Sequence, residues 1–536
     1  IGIANSASEL NPCNLPLRDL VGPVREGIEA AGGAGVEFPV ISLGEDLMKP
    51  SAMLYRNLLA IEIEEMVRAN PLDGLVILAN CDKSVPGALM GAISANIPTI
   101  LVTGGARPVV SFRGAPVGTG TTLWRLWDER RAGRLDDAGW RELEQCLACG
   151  RGACNTMGTA STMAVLSEVL GLMVPGTSSI PAGDPRSAAG ARAAGELIVG
   201  AVTDGGRRPQ DILTPASFAN AIVALNAIGG STNAVIHLAA LAGRAGAAFP
   251  IDDIARLGAQ VPVLADVEPS GSYLMPDFDA AGGVPSLLRE ISGLLDTGAA
   301  TITGQDIGDV AAAARPASGA IRTAGAPLRR GGAFGVVRGT LAPDGAVIKT
   351  SAASEHLLRH RGPAVVFSGY DDMLARIDDP GLAVTPDSVL VLAGCGPVGV
   401  PGMPEWGMVP IPARLVRYGV TDMVRVTDAR MSGTSFGTVL LHVAPEAAVG
   451  GPLALVRDGD LISVDVPAGR LDLEVGAAEL ERRRAELRPA PPAHVRGWPA
   501  LYARHVTQAP EGCDLDFLQA PTAAHRTFVE PVVGRS

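Results

Sequence analysis

One short segment, residues 81–87 (CDKSVPG), lies between a strand-like run and a helix-like run and constrains the fold most strongly. The apolar residues 74–80 are typical of a buried strand, and residues 86–92 are typical of a helix start. A strand that gives way to a helix indicates a parallel α/β sheet, in which ligands bind at the carboxyl ends of the strands. The segment places the thiol of Cys81, a carboxylate and an amine at such an end. The alternative interpretation is a buried structural cysteine beside a capping aspartate.

Two further cysteines lie in loops of the same kind. Cys13 follows a short apolar segment that we interpret as the end of a strand. Cys154 lies in a glycine-rich segment before a helical run of small residues, and a helix N-terminus favours the thiolate. Three such loop cysteines are able to converge on one cofactor, although their spacing alone is a weak signal because no two are close in sequence.

Length, charge and hydropathy indicate a multidomain protein and argue against nucleic acid and membrane partners. A chain of 536 residues is too long for one core, so we expect two or three domains. Hydrophobic residues make up 47% and charged residues 19%, which is typical of a well-packed soluble protein, and the net charge of −12 argues against a nucleic acid partner. No apolar run is long enough to span a bilayer and no signal peptide opens the chain, so we expect a cytoplasmic protein without a membrane partner. Because Ile1 is not an initiator methionine, we expect a further N-terminal segment before it.

The cysteine content fits a reducing compartment. Seven cysteines are an odd and low number, typical of free or metal-bound thiols rather than of a disulfide framework. Cys146 and Cys149 are separated by two residues, but a zinc or redox site needs a second pair or a nearby histidine, and neither stands out. We interpret Cys395 and Cys513 as structural or exposed thiols.

The hydrophobic pattern changes near residue 330. Strand-like runs alternate with helical stretches, clearest at 53–69 and 159–173, which predicts a parallel-sheet α/β domain over residues 1–330. Residues 296–330 are rich in alanine and glycine and are interpreted as a connector. From 331 to 536, short strand-like runs separated by glycine and proline turns predict a β-rich, barrel-like second domain.

Eight motifs, taken together, resemble those of one enzyme family. They are NPCN with Cys13, CDKSVPG with Cys81, CNTMGTASTM with Cys154, GGSTNA at 229–234, PSGSYLM at 269–275, APDGAVIK at 342–349, PGMPEWG at 401–407 and DARMSGT at 428–434. The set resembles the dihydroxy-acid and sugar-acid dehydratases, in the family's order and over nearly the whole chain. The resemblance implies an α/β N-terminal part, a β-barrel-like C-terminal part and a site between them.

The resemblance also implies an iron–sulfur cluster, because the three motif cysteines hold one in this family. The ligands here would be Cys13, Cys81 and Cys154. Three thiolates leave one iron position open, and an open iron is a Lewis acid able to bind a leaving hydroxyl. The residues themselves fit a 2Fe–2S or a 4Fe–4S cluster, and the resemblance to the sugar-acid branch favours 2Fe–2S.

A magnesium site is implied in the same way. Glu45, Asp82 and Glu405 match family positions that bind Mg²⁺, and Lys83 matches a lysine that is carbamylated in the family. A carbamate is an anionic oxygen ligand, whereas an ammonium at Lys83 would repel the ion. Taken singly, Asp82 fits a helix N-cap equally well, and Glu45 or Glu405 would more often be a solvated surface acid.

The last motif contains the candidate catalytic residues. Ser432 matches the family's proposed base, which nearby metals would shift toward the alkoxide, and Thr434 is expected to hydrogen-bond the substrate. The alternative is that both are turn residues beside Gly433. In the implied reaction, Mg²⁺ binds the substrate carboxylate and 2-hydroxyl, Ser432 removes the C2 proton, and the open iron takes the leaving 3-hydroxyl. The resulting enol tautomerises to a 2-keto-3-deoxy acid.

The segments around Glu45 favour a sugar-acid substrate. The LGE sequence at 43–45, SAMLYRNL at 51–58 and the tail at 512–518 resemble the aldonate branch, whereas branched-chain dihydroxy-acid dehydratases usually have aspartate at the Glu45 position. We therefore expect a hydro-lyase that acts on a small-molecule aldonate such as xylonate, arabinonate or gluconate, and that forms a homo-oligomer, a dimer or a tetramer.

Three other functions compete with this one. The first is dihydroxy-acid dehydratase of branched-chain amino-acid biosynthesis, the other branch of the same family. Departures from the family pattern at 103–106 and 393–397 leave the exact sugar acid open. The second is a nucleotide-dependent oxidoreductase, but its nearest glycine-rich candidate, 118–121, does not follow a first strand. The third is a non-catalytic scaffold, which would have lost Ser432 or a cluster cysteine.

Overall fold

The computed structural model describes residues 1–147, 150–488 and 494–519. The strands in chain order are β1 Gly2–Asn5, β2 Val36–Pro39, β3 Leu75–Leu78, β4 Thr99–Val102, β5 Val110–Phe112, β6 Ala115–Val117, β7 Phe334–Val337, β8 Gly345–Lys349, β9 Arg359–Ser368, β10 Val389–Ala393, β11 Arg425–Thr427, β12 Val439–Ala444, β13 Leu461–Asp465 and β14 Arg470–Leu473. The helices are α1 Val21–Ala30, α2 Arg56–Ala69, α3 Ser84–Ala95, α4 Thr121–Arg131, α5 Asp137–Leu147, α6 Thr159–Val169, α7 Pro185–Thr203, α8 Pro209–Ile212, α9 Pro215–Ala227, α10 Asn233–Ala245, α11 Asp253–Gly258, α12 Met275–Ala280, α13 Gly283–Ile291, α14 Ile307–Ala313, α15 Tyr370–Arg376, α16 Ala413–Arg417, α17 Ala477–Glu486 and α18 Gly497–His505.

A four-stranded parallel sheet organises the first part of the chain. Its strand order is β2-β1-β3-β4, and β1 pairs with β2 from Gly2 opposite Val36 and with β3 from Gly2 opposite Leu75. Strands β3 and β4 are buried at every position, as expected for strands covered on both faces. All four carboxyl ends meet at one edge, so the loops that follow them lie together there.

The predicted helices are present, with one shorter than expected. The stretch 53–69 contains a short 3-10 turn, Ala52–Tyr55, followed by α2. The stretch predicted to be helical as far as residue 173 ends with α6 at Val169, because Gly171 adopts a left-handed conformation (φ 80°) that ends the helix.

A mixed eight-stranded sheet forms the second part. Its order is β14-β13-β9-β10-β11-β12-β8-β7. The two edge strands meet where Arg338 N–H donates to Gly469 O (2.9 Å) and Leu471 N–H donates to Arg338 O (2.9 Å), so the sheet is nearly closed into a barrel. The predicted fold class, a parallel-sheet α/β part followed by a barrel-like part, is therefore confirmed. The four central strands β9 to β12 run parallel, which the pattern of short apolar runs did not indicate.

The two parts pack against each other through one wall of the barrel. Phe334, Val336 and Val347 of β7 and β8 belong to the core of the first part, whereas Val337 and Ile348 face the barrel interior. This alternation follows from the two-residue period of a strand. Residues 296–330 also pack on the first part, through the buried side chains of α14 and a bridge between Val263 and Arg329, so this connector is not a free linker. The division of the chain into domains at residue 330 stays a prediction.

The last described segment returns to the first part. Trp498 Nε1 donates to Leu54 O (2.7 Å), and Arg56 Nη2 donates to Gly512 O (2.7 Å). Across residues 1–147, 150–488 and 494–519, no helix is both long and apolar enough to cross a membrane.

Candidate functional site

The three motif cysteines approach one another at the carboxyl edge of the parallel sheet. Cys13 follows β1 and Cys81 follows β3, and both are buried. Asn14 Oδ1 accepts a hydrogen bond from Cys81 N–H (2.9 Å), and Asn80 Nδ2 donates to Cys13 O (2.7 Å), so the two loops are locked together. The loop that carries Cys154 joins them through Gly152 N–H, which donates to Pro12 O (3.0 Å).

The surroundings of Cys81 and Cys154 favour the protonated thiol. A hydrogen bond with Cys13 and then burial raise the pKa of Cys81 well above its ordinary value. Burial, followed by the charge of Cys13, also raises the pKa of Cys154. Cys154 does not lie at the start of α6, which begins at Thr159, and burial opposes the thiolate there; its ionisation state stays a prediction. Thiolates at these positions need a cation to offset their charge, and iron would supply it.

Three carboxylates surround one buried ammonium beside the cysteines. The ammonium of Lys83 is fully buried and contacts Asp82 Oδ2, Glu405 Oε1 (3.2 Å) and Glu45 Oε2 (3.5 Å). We call these four residues the acid–lysine cluster. Cys81 Sγ lies 3.4 Å from Asp82 Oδ1, so the cluster adjoins the cysteines directly. Sequence reasoning named all four residues, and the structure brings all four together; their role as metal ligands stays a prediction.

In the acid–lysine cluster, three carboxylates share the positive charge of Lys83. Burial opposes the charge of Lys83, but the three carboxylates outweigh it and raise its pKa. Burial also raises the pKa of Glu45, whereas at Glu405 the charges of Lys83 and Arg430 outweigh burial and lower the pKa. Three acids therefore compete for two cations, and a divalent ion would relieve this imbalance.

Arg430 is the second cation and was not predicted. Its Nη1 donates to Glu405 Oε1 (2.9 Å), and its Nη2 donates to Ser51 Oγ (2.9 Å). Ser51 Oγ in turn donates to Glu45 Oε1 (2.9 Å). Arg430 thus orients two acids of the cluster from opposite halves of the chain. It lies in the motif at 428–434, but a motif alone does not show which partner an arginine will take.

The serine loop, residues 431–434, enters the site from the second half. Ser432 is partly exposed and lies 2.9 Å from the hydroxyl of Thr434, and Thr434 N–H donates to Ser432 Oγ (3.4 Å). The Thr434 N–H is therefore aimed at Ser432 Oγ, and the Thr434 hydroxyl lies close enough to donate to it, so both groups would stabilise negative charge there. Thr121 Oγ1 donates to Thr434 O (2.9 Å) and anchors the loop on the first half.

Two glycines allow the serine loop to approach this closely. Gly120 has a φ of 93°, and a Cβ built on it would lie 2.3 Å from Thr434 Oγ1. A Cβ on Gly433 would lie 2.7 Å from both Ser231 Oγ and Thr159 N. A side chain at either position would push the loop away from the first half.

Asn233 connects the serine loop to the acid–lysine cluster and was also missed. Its Nδ2 donates to Glu405 Oε1 (2.7 Å) and to Thr159 Oγ1 (3.0 Å), next to the point where Gly433 packs. Its Oδ1 is buried and accepts no hydrogen bond from any described residue. A buried acceptor without a partner is costly, so a ligand at this position would stabilise it. Asn233 lies within the motif at 229–234, which gave its position but not its contacts.

The donor set fits the implied cofactors. Soft thiolates suit iron, and oxygen donors suit Mg²⁺. Among the residues the structure describes, no group of three or more His, Cys, Asp or Glu side chains is already arranged as a metal site. In the acid–lysine cluster the reason is that the ammonium of Lys83 stands between the acids, and carbamylation would turn it into a further oxygen donor.

Three further cysteines are described, Cys146, Cys395 and Cys513, and none belongs to the three motif loops. Cys146 packs near Ser111 with its Sγ 3.5 Å from the carbonyl oxygen, and Cys149 lies outside the described residues. Cys395 and Cys513 are buried, in agreement with the structural alternative.

A cavity of about 400 Å³ opens beside Glu405. Its walls include Trp124, Trp127, Trp140, Tyr370 and Trp406. The rings of Tyr370 and Trp406 stack at 4.4 Å, and Trp406 bridges to Met431 in the serine loop. The cavity therefore adjoins the candidate catalytic groups.

The fold and the site define a two-part α/β protein with a buried acid–lysine cluster between three cysteines and a serine loop. Comparison with known proteins agrees with this description. The dihydroxy-acid/6-phosphogluconate dehydratase N-terminal profile matches residues 1–310, and the corresponding C-terminal profile matches residues 319–513. The chain belongs to this dehydratase family.

Individual relatives cover nearly the whole chain. A 6-deoxy-6-sulfo-D-gluconate dehydratase of Pseudomonas putida is 49% identical over 98% of this chain and 91% of its own. An L-arabinonate dehydratase of Rhizobium leguminosarum is 46% identical, over 97% and 90%. A dihydroxy-acid dehydratase of Moorella thermoacetica is 37% identical, over 96% and 94%. The chain is thus an enzyme of the hydro-lyase class, a dehydratase.

Proposed function

We propose that the protein is an iron–sulfur- and Mg²⁺-dependent dehydratase that converts an aldonate to a 2-keto-3-deoxy acid. The observation that carries this proposal is the convergence of Glu45, Asp82 and Glu405 on Lys83, directly beside Cys81 and facing the serine loop. Dehydration needs a cation that binds the substrate carboxylate, a base for the C2 proton and an acceptor for the leaving hydroxyl. The acid–lysine cluster, the serine loop and the three cysteines correspond to these needs in that order.

The proposed base is Ser432. Its Oγ would take the C2 proton, and the N–H and hydroxyl of Thr434 would stabilise the charge on Oγ before transfer. Asn233 and Arg430 hold Glu405 in place, so the carboxylate stays aligned while the proton moves. When bound, the cluster would supply a Lewis-acidic iron and Mg²⁺ would neutralise the substrate carboxylate. The partly exposed position of Ser432 leaves it accessible to a substrate.

A sugar acid is the proposed substrate. Three relatives at 46–49% identity carry sugar-acid dehydratase names, whereas the dihydroxy-acid dehydratase of Moorella thermoacetica is 37% identical. The cavity beside Glu405 would receive the part of the substrate beyond C3, because Glu405 lines it and Trp406, another lining residue, bridges to Met431 of the serine loop. We further propose a cytoplasmic location and a homo-oligomeric state.

The proposal is tested by a substrate panel on anaerobically purified protein. Formation of 2-keto acid is measured with five- and six-carbon aldonates, 6-deoxy-6-sulfogluconate and 2,3-dihydroxyisovalerate. We expect turnover on at least one aldonate and a preference for it over dihydroxyisovalerate. Turnover on dihydroxyisovalerate alone would instead establish the branched-chain alternative.

The magnesium site is tested separately from the cluster. Prolonged chelation should abolish activity with iron retained, and added Mg²⁺ should restore it. Glu45→Gln should raise the Mg²⁺ concentration needed to restore activity, because it removes one anionic ligand, whereas Glu65→Gln, at an exposed acid on α2, should behave as wild type. Activity that is indifferent to chelation would contradict the magnesium site.

A further inference from the structure

Arg107 places a buried guanidinium against the three motif cysteines. It lies just after β4, so it shares the sheet edge with the loops of Cys13 and Cys81, and its side chain is largely buried. Its Nη2 donates to Cys13 Sγ (3.8 Å) and to Asp46 Oδ2 (3.4 Å), and its Nε donates to Gly152 O (3.3 Å). The motif analysis did not identify this residue.

The backbone of Arg107 also ties the cysteine loops together. Arg107 N–H donates to Ala153 O (2.8 Å), beside Cys154, and Ala153 N–H donates to Gly105 O (3.0 Å). The guanidinium is thus held from two sides, by its own strand end and by the carbonyl of Gly152. A side chain held in this way keeps its direction toward the sulfur, whether or not the sulfur binds a metal.

Arg107 interacts more strongly with the sulfur side of its surroundings than with its carboxylate partner. Its one carboxylate partner, Asp46, has a side chain that is 46% exposed, so water screens that pair. The sulfur side of Arg107 is buried, where charges interact more strongly.

We propose that Arg107 is a positioning residue for the iron–sulfur cluster, and that its N–H···S bond to Cys13 and its positive charge raise the reduction potential of the cluster. Hydrogen bonds to ligand sulfurs and nearby net charge both set such potentials, because a cation stabilises the reduced and more negative state. This inference rests on the proposed cofactor. It concerns how the chain tunes that cofactor and assigns Arg107 no part in proton transfer.

The test is a reductive titration of purified protein, followed by visible absorption and electron paramagnetic resonance. Arg107→Met removes the charge and the donor, so its midpoint potential should be lower than that of wild type. Arg107→Lys keeps the charge but not the planar fork, and should fall between the two. Asp46→Asn removes the opposing negative charge and should shift the midpoint to a higher potential. Arg151→Met, at an exposed arginine that pairs with Asp19 at 3.2 Å, is the matched control and should shift it least.

The outcomes separate the inference from the cofactor. Iron and acid-labile sulfide are measured first in wild type, and their absence would overturn both. A wild-type cluster with unchanged potentials in Arg107→Met and Arg107→Lys would overturn the inference alone. If Arg107→Met does not retain the cluster, the potential of Arg107→Lys decides, and a value equal to wild type would mean that Arg107 only holds the loops together.

Discussion

At the scale of single residues, the site consists of buried charged groups. Each charge would be destabilising alone, and each is offset by an opposite charge beside it. The ammonium of Lys83 is fully buried, and so are most of the atoms of the acids around it. Removing one partner from such a set leaves an uncompensated buried charge, which is strongly destabilising. Residues around the cluster are therefore constrained by charge as well as by chemistry, and a test of one role has to preserve the others.

Ser432→Ala is the substitution that isolates the base. It removes Oγ without changing the charge of the acid–lysine cluster, so we expect the protein to keep its iron and magnesium. Its turnover should fall by about 10²–10⁴-fold, the usual contribution of a general base. The substrate's C2 proton should also stop exchanging with deuterated solvent, which proton NMR can follow. The exposed Thr421→Ala serves as control, and near-normal turnover of Ser432→Ala would reduce Ser432 to a turn residue.

The effect of replacing a cysteine should depend on whether it lies in one of the three motif loops. Cys13→Ser, Cys81→Ser and Cys154→Ser should each lose iron, visible absorption and activity, because all three loops meet at one edge of the sheet. Cys146→Ser and Cys149→Ser should keep all three properties. Iron analysis and the visible spectrum provide the measurement, and full iron occupancy in Cys81→Ser would disprove the ligand assignment.

At the scale of elements, most strands and helices were predictable because their signals are local. The apolar runs before Cys81 and from residue 331 onward became strands, and the stretch at 53–69 became α2 after a short turn. The parallel pairing of β9 to β12 was not predictable, since a short apolar run has the same sequence pattern in a parallel and in an antiparallel strand. The helical packing of the connector was missed as well, because its alanine-rich sequence carries little periodicity.

The last residue of strand β8 is a buried lysine that lowers the stability of the fold. Lys349 is buried, and its Nζ has no hydrogen-bond partner among the described residues. Burial lowers the pKa of Lys349 from its ordinary 10.5 to about 7. Between these values the unfolded chain binds a proton that the folded protein does not, so the free energy of unfolding should rise with pH there.

Lys349→Met should remove this dependence. Below pH 7 wild type must bury an ammonium, so the variant should be more stable there, by up to about 5 kcal/mol. The difference should shrink toward pH 10. Urea unfolding of wild type and variant at pH 6, 8 and 10 measures it, with the exposed Lys49→Met as control. A difference that does not change with pH would show that Lys349 stays charged in the fold.

At the scale of the whole molecule, the site exists only where both halves meet. Glu405 and the serine loop come from the second half, and Glu45, Asp82, Lys83 and the cysteines come from the first. The motifs named these residues, but the residues that join them were not predictable. Arg430, Asn233 and Arg107 act through contacts between segments that lie far apart in sequence. No local pattern reports such pairs, because the segments they join come together only in the folded chain.

The tail is fastened to the first half by a buried ion pair. Arg244 Nε lies 2.6 Å from Asp514 Oδ2, and both side chains are fully buried. Arg244→Met should lower the free energy of unfolding by about 3–5 kcal/mol, since it leaves Asp514 charged and unpaired. The double variant Arg244→Met/Asp514→Leu should recover more than half of that loss.

The matched comparison is the exposed pair of Arg361 and Glu474, at 2.7 Å. Arg361→Met should cost less than about 1 kcal/mol. Chemical unfolding measures all three variants. A double variant as unstable as Arg244→Met would show that the charge of Asp514 is not the cause of the loss.

The order of the site residues along the chain also sets an order of assembly. Cys13, Cys81 and Cys154 all precede residue 155, whereas the acid–lysine cluster is incomplete until Glu405 has been synthesised. A ribosome that has made only the first α/β segment has therefore already released every proposed iron ligand. For the proposed cofactors, iron delivery would then be able to begin on the nascent chain, and Mg²⁺ binding would have to wait for the barrel to dock. Loading of the second metal would then report that the enzyme has finished folding.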